Sequence, residues 1–97
     1  MKFSGSQVAA ARYLLGLKQE ELADACGVNT KTLASFELGQ AKPHQKSVEK
    51  IGHELTKRGI EFTNGTGIGV RLDYKKAAEY SAAQGQTNPS SPTDSRS

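Results

Sequence analysis

The stretch "QEELADACGVNTKTLASFELG" (Gln19–Gly39) decides the fold. "QEELADAC" (19–26) sets Leu22, Ala23 and Cys26 on one side of a helix. Gly27 ends that helix, because glycine accepts the left-handed backbone that a tight exit needs. Asn29 caps a second helix, "TKTLASFE" (30–37), with Leu33 and Phe36 turned inward and Gly39 closing it. Ala23 is small where the two helices must approach closely. Leu22, Cys26, Val28, Leu33 and Phe36 supply a shared core.

Two short helices around a glycine-containing turn make a helix-turn-helix. Upstream, "QVAAARYLLG" (7–16) is expected as helix 1, with Ser6 as N-cap, Gly16 as stop, and Val8, Ala11, Leu14 and Leu15 as its apolar stripe. Downstream, "GQAKPHQ" is a loop, since Pro43 disfavours helix before it. "KSVEKIGHELTKRG" (46–59) is expected as helix 4, with the stripe Val48, Ile51 and Leu55 and a stop at Gly59.

The period then changes. Ile60 and Phe62 alternate with Glu61 and Thr63, Asn64-Gly65 is a strong hairpin dipeptide, and Ile68, Val70 and Leu72 alternate again. Strands are expected over 60–63 and 68–72. "KKAAEYSAAQ" can form a helical turn or two, and the polar, proline-containing end is expected to be disordered. Three regions follow: 1–59 as the helical domain, 60–74 as a hairpin extension, and 75–97 as a mostly disordered polar tail.

A chain of 97 residues reads as one small domain, with little room for both a substrate pocket and a cofactor pocket. Net charge is +3, a mild bias that permits an anionic partner. Its distribution is uneven. Between Leu17 and Val28, Lys18 stands against Glu20, Glu21 and Asp24. From Asn29 to Arg58, Lys31, Lys42, Lys46, Lys50, Lys57 and Arg58 outnumber Glu37, Glu49 and Glu54. The single Cys26 excludes an intramolecular disulfide, and the absence of a long apolar run reads as a soluble, cytoplasmic chain with no membrane partner.

The glycines of "EFTNGTGIGVRL" (61–72) could cradle a phosphate or soften a hairpin turn. A dinucleotide fingerprint needs its glycines after a strand and opening a helix, and a Walker loop needs Gly-Lys-Ser/Thr. Neither pattern is present, so the hairpin reading prevails. No Ser or Cys nucleophile stands in a recognisable motif, and His44 and His53 lack partners at metal-ligand spacing. No enzyme activity, cofactor or metal is expected. Tyr13 and Phe36 read as core, Cys26 as a buried small hydrophobe, and "EELAD" as a solvated face.

The phrases "LLGLKQEELADACGVNTKTLASFELGQAKP" (14–43) and "SVEKIGHEL" (47–55) resemble the phage-repressor/Cro-like helix-turn-helix regulators, also called the xenobiotic-response-element family. The likeness runs from about Gln7 to Leu55. It implies a mainly α, lambda-repressor-like bundle of four to five helices, here followed by a short C-terminal β-hairpin. It also implies a transcriptional regulator that binds palindromic operator DNA as a homodimer, with the second helix of the motif in the major groove. On that likeness Thr30, Lys31, Thr32 and Ser35 face base edges. Lys31 can donate to guanine O6 and N7, each good contact contributing about 1–3 kcal/mol, and Ala34 can touch sugar or a thymine methyl.

Lys18, Gln19, Gln40 and Lys42 are the expected phosphate contacts. Gln40 stands where the family often carries a cation, so a shallower salt dependence is expected. Lys18 replaces the usual Ser or Thr cap of helix 2, leaving Glu21 without its capping-box partner at a cost of roughly 1 kcal/mol. His44 similarly replaces a better cap of helix 4. Arg12 and Glu37 are implied as an ion pair that orients the reading helix.

A two-stranded ribbon is marginal alone, so the apolar face of Ile60, Phe62, Ile68, Val70 and Leu72 must be buried. It can lie on helix 4 or pair with the same ribbon of a second subunit. The second is favoured, because dimerisation there would set the spacing of two reading helices. A different class of function is an antitoxin or anti-regulator that uses the same motif and also binds a protein partner through the hairpin or tail.

Overall fold

The computed structural model describes residues 3–84. In chain order these are α1 (Gly5–Leu15), α2 (Gln19–Cys26), α3 (Thr30–Glu37), α4 (Gln45–Lys57), β1 (Ile60–Asn64), β2 (Ile68–Leu72) and α5 (Tyr74–Ala83). The architecture is a helical bundle followed by an antiparallel hairpin and a closing helix.

Helix α1 starts earlier than its apolar rhythm suggests. Its N-cap is Ser4 rather than Ser6: Ser4 Oγ accepts the Gln7 N–H at 3.3 Å, and Gln7 Oε1 accepts the Ser4 N–H at 2.8 Å. This reciprocal capping box satisfies two donors at once, which Ser6 could not match. Val8 and Ala11 are buried and Leu15 is half-buried, whereas Leu14 is 48% exposed. Leu14 falls at the edge of the narrow buried stripe. Tyr13 is also surface rather than core, 81% exposed, with the Arg12 guanidinium 5.6 Å from its ring centroid.

Gly27 makes the turn of the motif. Its φ is 72°, and the reversal lets its N–H reach the Asp24 carbonyl and the Val28 N–H reach the Ala23 carbonyl, at 3.1 and 3.0 Å. A β-carbon would be strained at this φ. Gly5 serves a different need. A β-carbon there would lie 1.7 Å from the Phe36 carbonyl oxygen, so α1 and α3 meet backbone to backbone.

The core joins Val8 and Ala11 of α1, Leu22, Ala23 and Cys26 of α2, Leu33 and Phe36 of α3, Ile51 and Leu55 of α4, and Ile60 of β1. Val48 is only half-buried. Burial pushes the Cys26 thiol up to about 11, which keeps it protonated and unreactive near neutrality.

Strands β1 and β2 pair with Ile60 opposite Leu72, Phe62 opposite Val70 and Asn64 opposite Ile68. Asn64 is therefore the last residue of β1, and the turn is Gly65–Gly67. The left-handed glycines of the described chain are Gly16, Gly27, Gly39 and Gly59, so Gly65 makes its turn without the positive φ that an Asn-Gly hairpin dipeptide favours.

The ribbon's apolar face rests on its own chain, β2 against α1 and β1 against α4. Ile60 is 1% exposed, and Phe62, Val70 and Leu72 pack against the core. Phe62 stacks on Phe3 with centroids 4.7 Å apart, and Phe3 tilts onto Phe36 at 6.1 Å. Gln7, 3% exposed, donates from Nε2 to the carbonyl oxygens of both Thr63 (3.1 Å) and Gly69 (2.9 Å). Of the five apolar residues expected at a dimer contact, only Ile68 stands well out, 65% exposed.

Order extends beyond Tyr74. Asp73 caps α5 by accepting the Lys76 N–H at 3.1 Å. The Tyr80 ring lies under Lys57 Nζ and Arg58 Cζ, 5.8 and 5.0 Å from its centroid. A docked helix thus replaces the expected frayed turns. The rest of the expected polar tail, 85–97, lies outside the described residues.

Candidate nucleic-acid interface

Helix α3 is presented by α2, α1 and its own cap. Asn29 Oδ1 accepts the Lys31 N–H at 2.8 Å, fixing where the helix starts. Leu33 and Phe36 bury one side. Thr30 and Lys31 are exposed, and Thr32, Ala34 and Ser35 are half-buried around the opposite side.

Lys31, Thr32 and Ser35 come together in one groove, whose other wall is Ala41, Pro43, His44 and Ser47. Thr30 does not join them. It borders a separate depression with Glu20, Glu21, Asp24, Val28 and Asn29, on the acidic side of α2. The start of α4 is the part of the groove that the sequence reading leaves out. A signal was present, since Ser47 follows His44 by three residues and so shares its helix face.

The tail end of α3 is fixed by charge. Arg12 Nε donates to Glu37 Oε2 at 2.9 Å and Arg12 Nη2 to Glu37 Oε1 at 3.0 Å, while Nη1 donates to the Leu17 carbonyl at 3.1 Å. The Glu37 side chain is 4% exposed and that of Arg12 17%. This fork-to-fork geometry fixes direction as well as distance. The hydrogen bond to Glu37 raises the Arg12 pKa above its ordinary value, outweighing burial.

The expected phosphate contacts divide. Gln19 donates from Nε2 to Glu37 Oε1 at 3.0 Å. Its backbone N–H, at the first position of α2, remains without an intrahelical acceptor. Glu21 does find a capping partner, because the Lys18 backbone N–H donates to its Oε1 at 2.8 Å. Only the reverse bond is missing, since an ammonium group cannot accept. Lys18, Gln40 and Lys42 are exposed. Gln40 and Lys42 border a cleft with Phe3, Ser4, Gly5 and Phe36, where the loop after α3 meets the start of α1.

Among the described residues, no helix is long and apolar enough to cross a membrane. No group of three or more His, Cys, Asp or Glu gathers there as a metal site.

Comparison with curated proteins yields no match. A family model for the helix-turn-helix matches residues 8–57, more than half of the 97-residue chain, and spans α1 to the end of α4. The chain belongs to the Cro/C1-type helix-turn-helix family of DNA-binding domains.

Proposed function

We propose that this protein is a sequence-specific transcriptional regulator that binds operator DNA as a homodimer, with α3 in the major groove. The observation that carries the reading is the gathering of Lys31, Thr32 and Ser35 in one groove on a helix whose far end is fixed by the Arg12–Glu37 fork. A helix fits the major groove, and its first turn reaches base edges. Lys31 reads guanine, and Thr32 and Ser35 donate to or accept from neighbouring bases. Thr30 meets the strand on the α2 side, and Lys18, Gln40, Lys42 and the backbone N–H of Gln19 hold phosphates.

The second subunit joins along the hairpin. With the apolar face spent on the subunit's own core, what remains for pairing is the open backbone edge and exposed Ile68. Edge-to-edge pairing across a two-fold axis makes a longer sheet from two marginal ribbons.

In-vitro selection of duplexes by the full chain, followed by a mobility-shift titration, tests the reading. A recovered palindromic site that competes against random duplex is the expected result. Equal binding of folded protein to selected and random DNA would overturn it. Sedimentation of Ile68→Lys tests the contact, which predicts a shift towards monomer.

A further inference from the structure

We propose that Asn64 and Gly65 form a self-modification site, in which the Gly65 backbone nitrogen closes on the Asn64 side chain and the resulting isoaspartate loosens the tip of the ribbon. The modification stands on its own chemistry and geometry. Its consequence for assembly rests on the dimer reading above.

The fold makes no demand for glycine at position 65. Its φ is not left-handed, and a β-carbon there would meet nothing within 4 Å. Asn64 and Gly65 are exposed, as are Thr66 and Gly67. What the dipeptide retains is reactivity. Asparagine is a thermolabile residue. A following glycine leaves its nitrogen open to the carboxamide and gives the backbone the rotational freedom that ring closure needs. The chain's other two asparagines lack this neighbour. Asn29 is followed by β-branched Thr30, and its Oδ1 accepts the Lys31 N–H at 2.8 Å. Asn88 precedes Pro89, whose nitrogen carries no proton to give up.

In the first step the Gly65 nitrogen loses its proton to hydroxide and attacks Asn64 Cγ. The new C–N bond closes a succinimide ring, and the side-chain nitrogen leaves as ammonia. Water then opens the ring. Addition at Cγ gives aspartate. Addition at the backbone carbonyl carbon gives isoaspartate, whose main chain runs through Cβ and is longer by that carbon. The balance is ammonia lost and water gained, with nothing oxidised or reduced.

The tip of the ribbon must take up the added carbon. Gln7 Nε2 holds the carbonyl oxygens of Thr63 and Gly69 at 3.1 and 2.9 Å, so the displacement falls on the segment between them. That segment contains Ile68, which pairs with Asn64 and is the exposed apolar residue of the dimer contact. A shift of register turns strand side chains away from the face they occupied.

The test ages the folded full chain at mildly alkaline pH. Peptide mapping and enzymatic methylation of isoaspartate follow the chemistry, and sedimentation follows assembly in the same samples. The expected result is conversion at Asn64, an intact Asn29, and loss of dimer in step with isoaspartate. Gly65→Ala, which the open space around the turn accepts, should convert manyfold more slowly and keep its dimer. Asn64→Asp carries the new charge without the added carbon and should sediment as fresh parent does. An unconverted Asn64 in the aged parent, or equal rates in parent and Gly65→Ala, overturns the proposal. So does a converted sample that sediments unchanged, or an Asn64→Asp variant as dissociated as the aged parent. A fresh parent that is already monomeric removes the dimer reading instead, and conversion at Asn64 then stands or falls by peptide mapping.

Discussion

Arg12 and Glu37, 25 residues apart in sequence, meet through two hydrogen bonds of 2.9 and 3.0 Å that tie the end of α1 to the end of α3. Glu37 is nearly sealed from solvent. Removing Arg12 therefore leaves a buried carboxylate with only the Gln19 amide beside it. Arg12→Ala should lower stability by about 3–5 kcal/mol, read from urea unfolding. The double variant Arg12→Leu, Glu37→Leu should recover much of that loss, because the uncompensated charge goes with its partner. A loss below about 1 kcal/mol for Arg12→Ala would mean that the pair behaves like an exposed one.

Gly5 is the second tie between the same helices. Alanine there collides with the backbone oxygen of Phe36, which cannot rotate away as a side chain could. Gly5→Ala should cost about 1–3 kcal/mol by overpacking, despite alanine's better helix propensity. Thermal unfolding of the variant checks the sign, and a raised Tm would refute the close approach.

Acid should loosen the end of α4. Burial works to raise the Glu54 pKa, but hydrogen bonds from Arg58 and Lys57, with their charges, outweigh it and hold the carboxyl below its usual 4.5. A lowered folded pKa gives stability that is present above the ordinary value and lost as the pH falls through the folded one. Asp73 shifts the same way, chiefly through the Lys76 backbone N–H. The urea midpoint should therefore fall as the pH drops below about 4.5. Glu54→Gln should flatten that fall, and adding Asp73→Asn should flatten it further.

On DNA, Lys31 and Lys42 should behave differently. Lys31→Ala should relax preference at one base position, at a cost of about 1–3 kcal/mol against the preferred site alone. Lys42→Ala should weaken specific and random duplexes alike and lower the salt slope by about one. Parallel binding titrations at several salt concentrations separate the two. Equal losses on both kinds of DNA for Lys31→Ala would remove it as a base reader.

Local chemistry was legible in the chain and packing choices were not. The limits of α2 and α3 follow from Asn29 and Gly27, whose effects act within a turn, and the hairpin's alternation is a property of a few adjacent residues. Ser4 is not legible as a cap because the apolar stripe it precedes begins only at Val8, and its glutamine partner also faces the hairpin. Tyr13 and Leu14 are apolar in composition but lie outside the angle that α1 can bury. The commitment of Gln19 to Glu37, and the groove wall built by α4, join residues far apart in sequence. No periodicity announces such contacts. Tyr80 of α5 meets Lys57 and Arg58 at the end of α4, a contact equally invisible from the helix's own weakly apolar pattern.

Gln7 holds one carbonyl of each hairpin strand with a single amide group. Two residues before it, α1 abuts the backbone of α3. Ribbon, first helix and reading helix are thus joined by direct contacts, so a partner held at the ribbon positions the reading helix through α1. In a two-fold assembly held there, the phase between two such helices is set by the protein, and one added base pair at the centre of a site rotates its halves by about 34–36°. A site lengthened in this way should therefore bind more weakly unless the DNA twists to bring its halves back into phase.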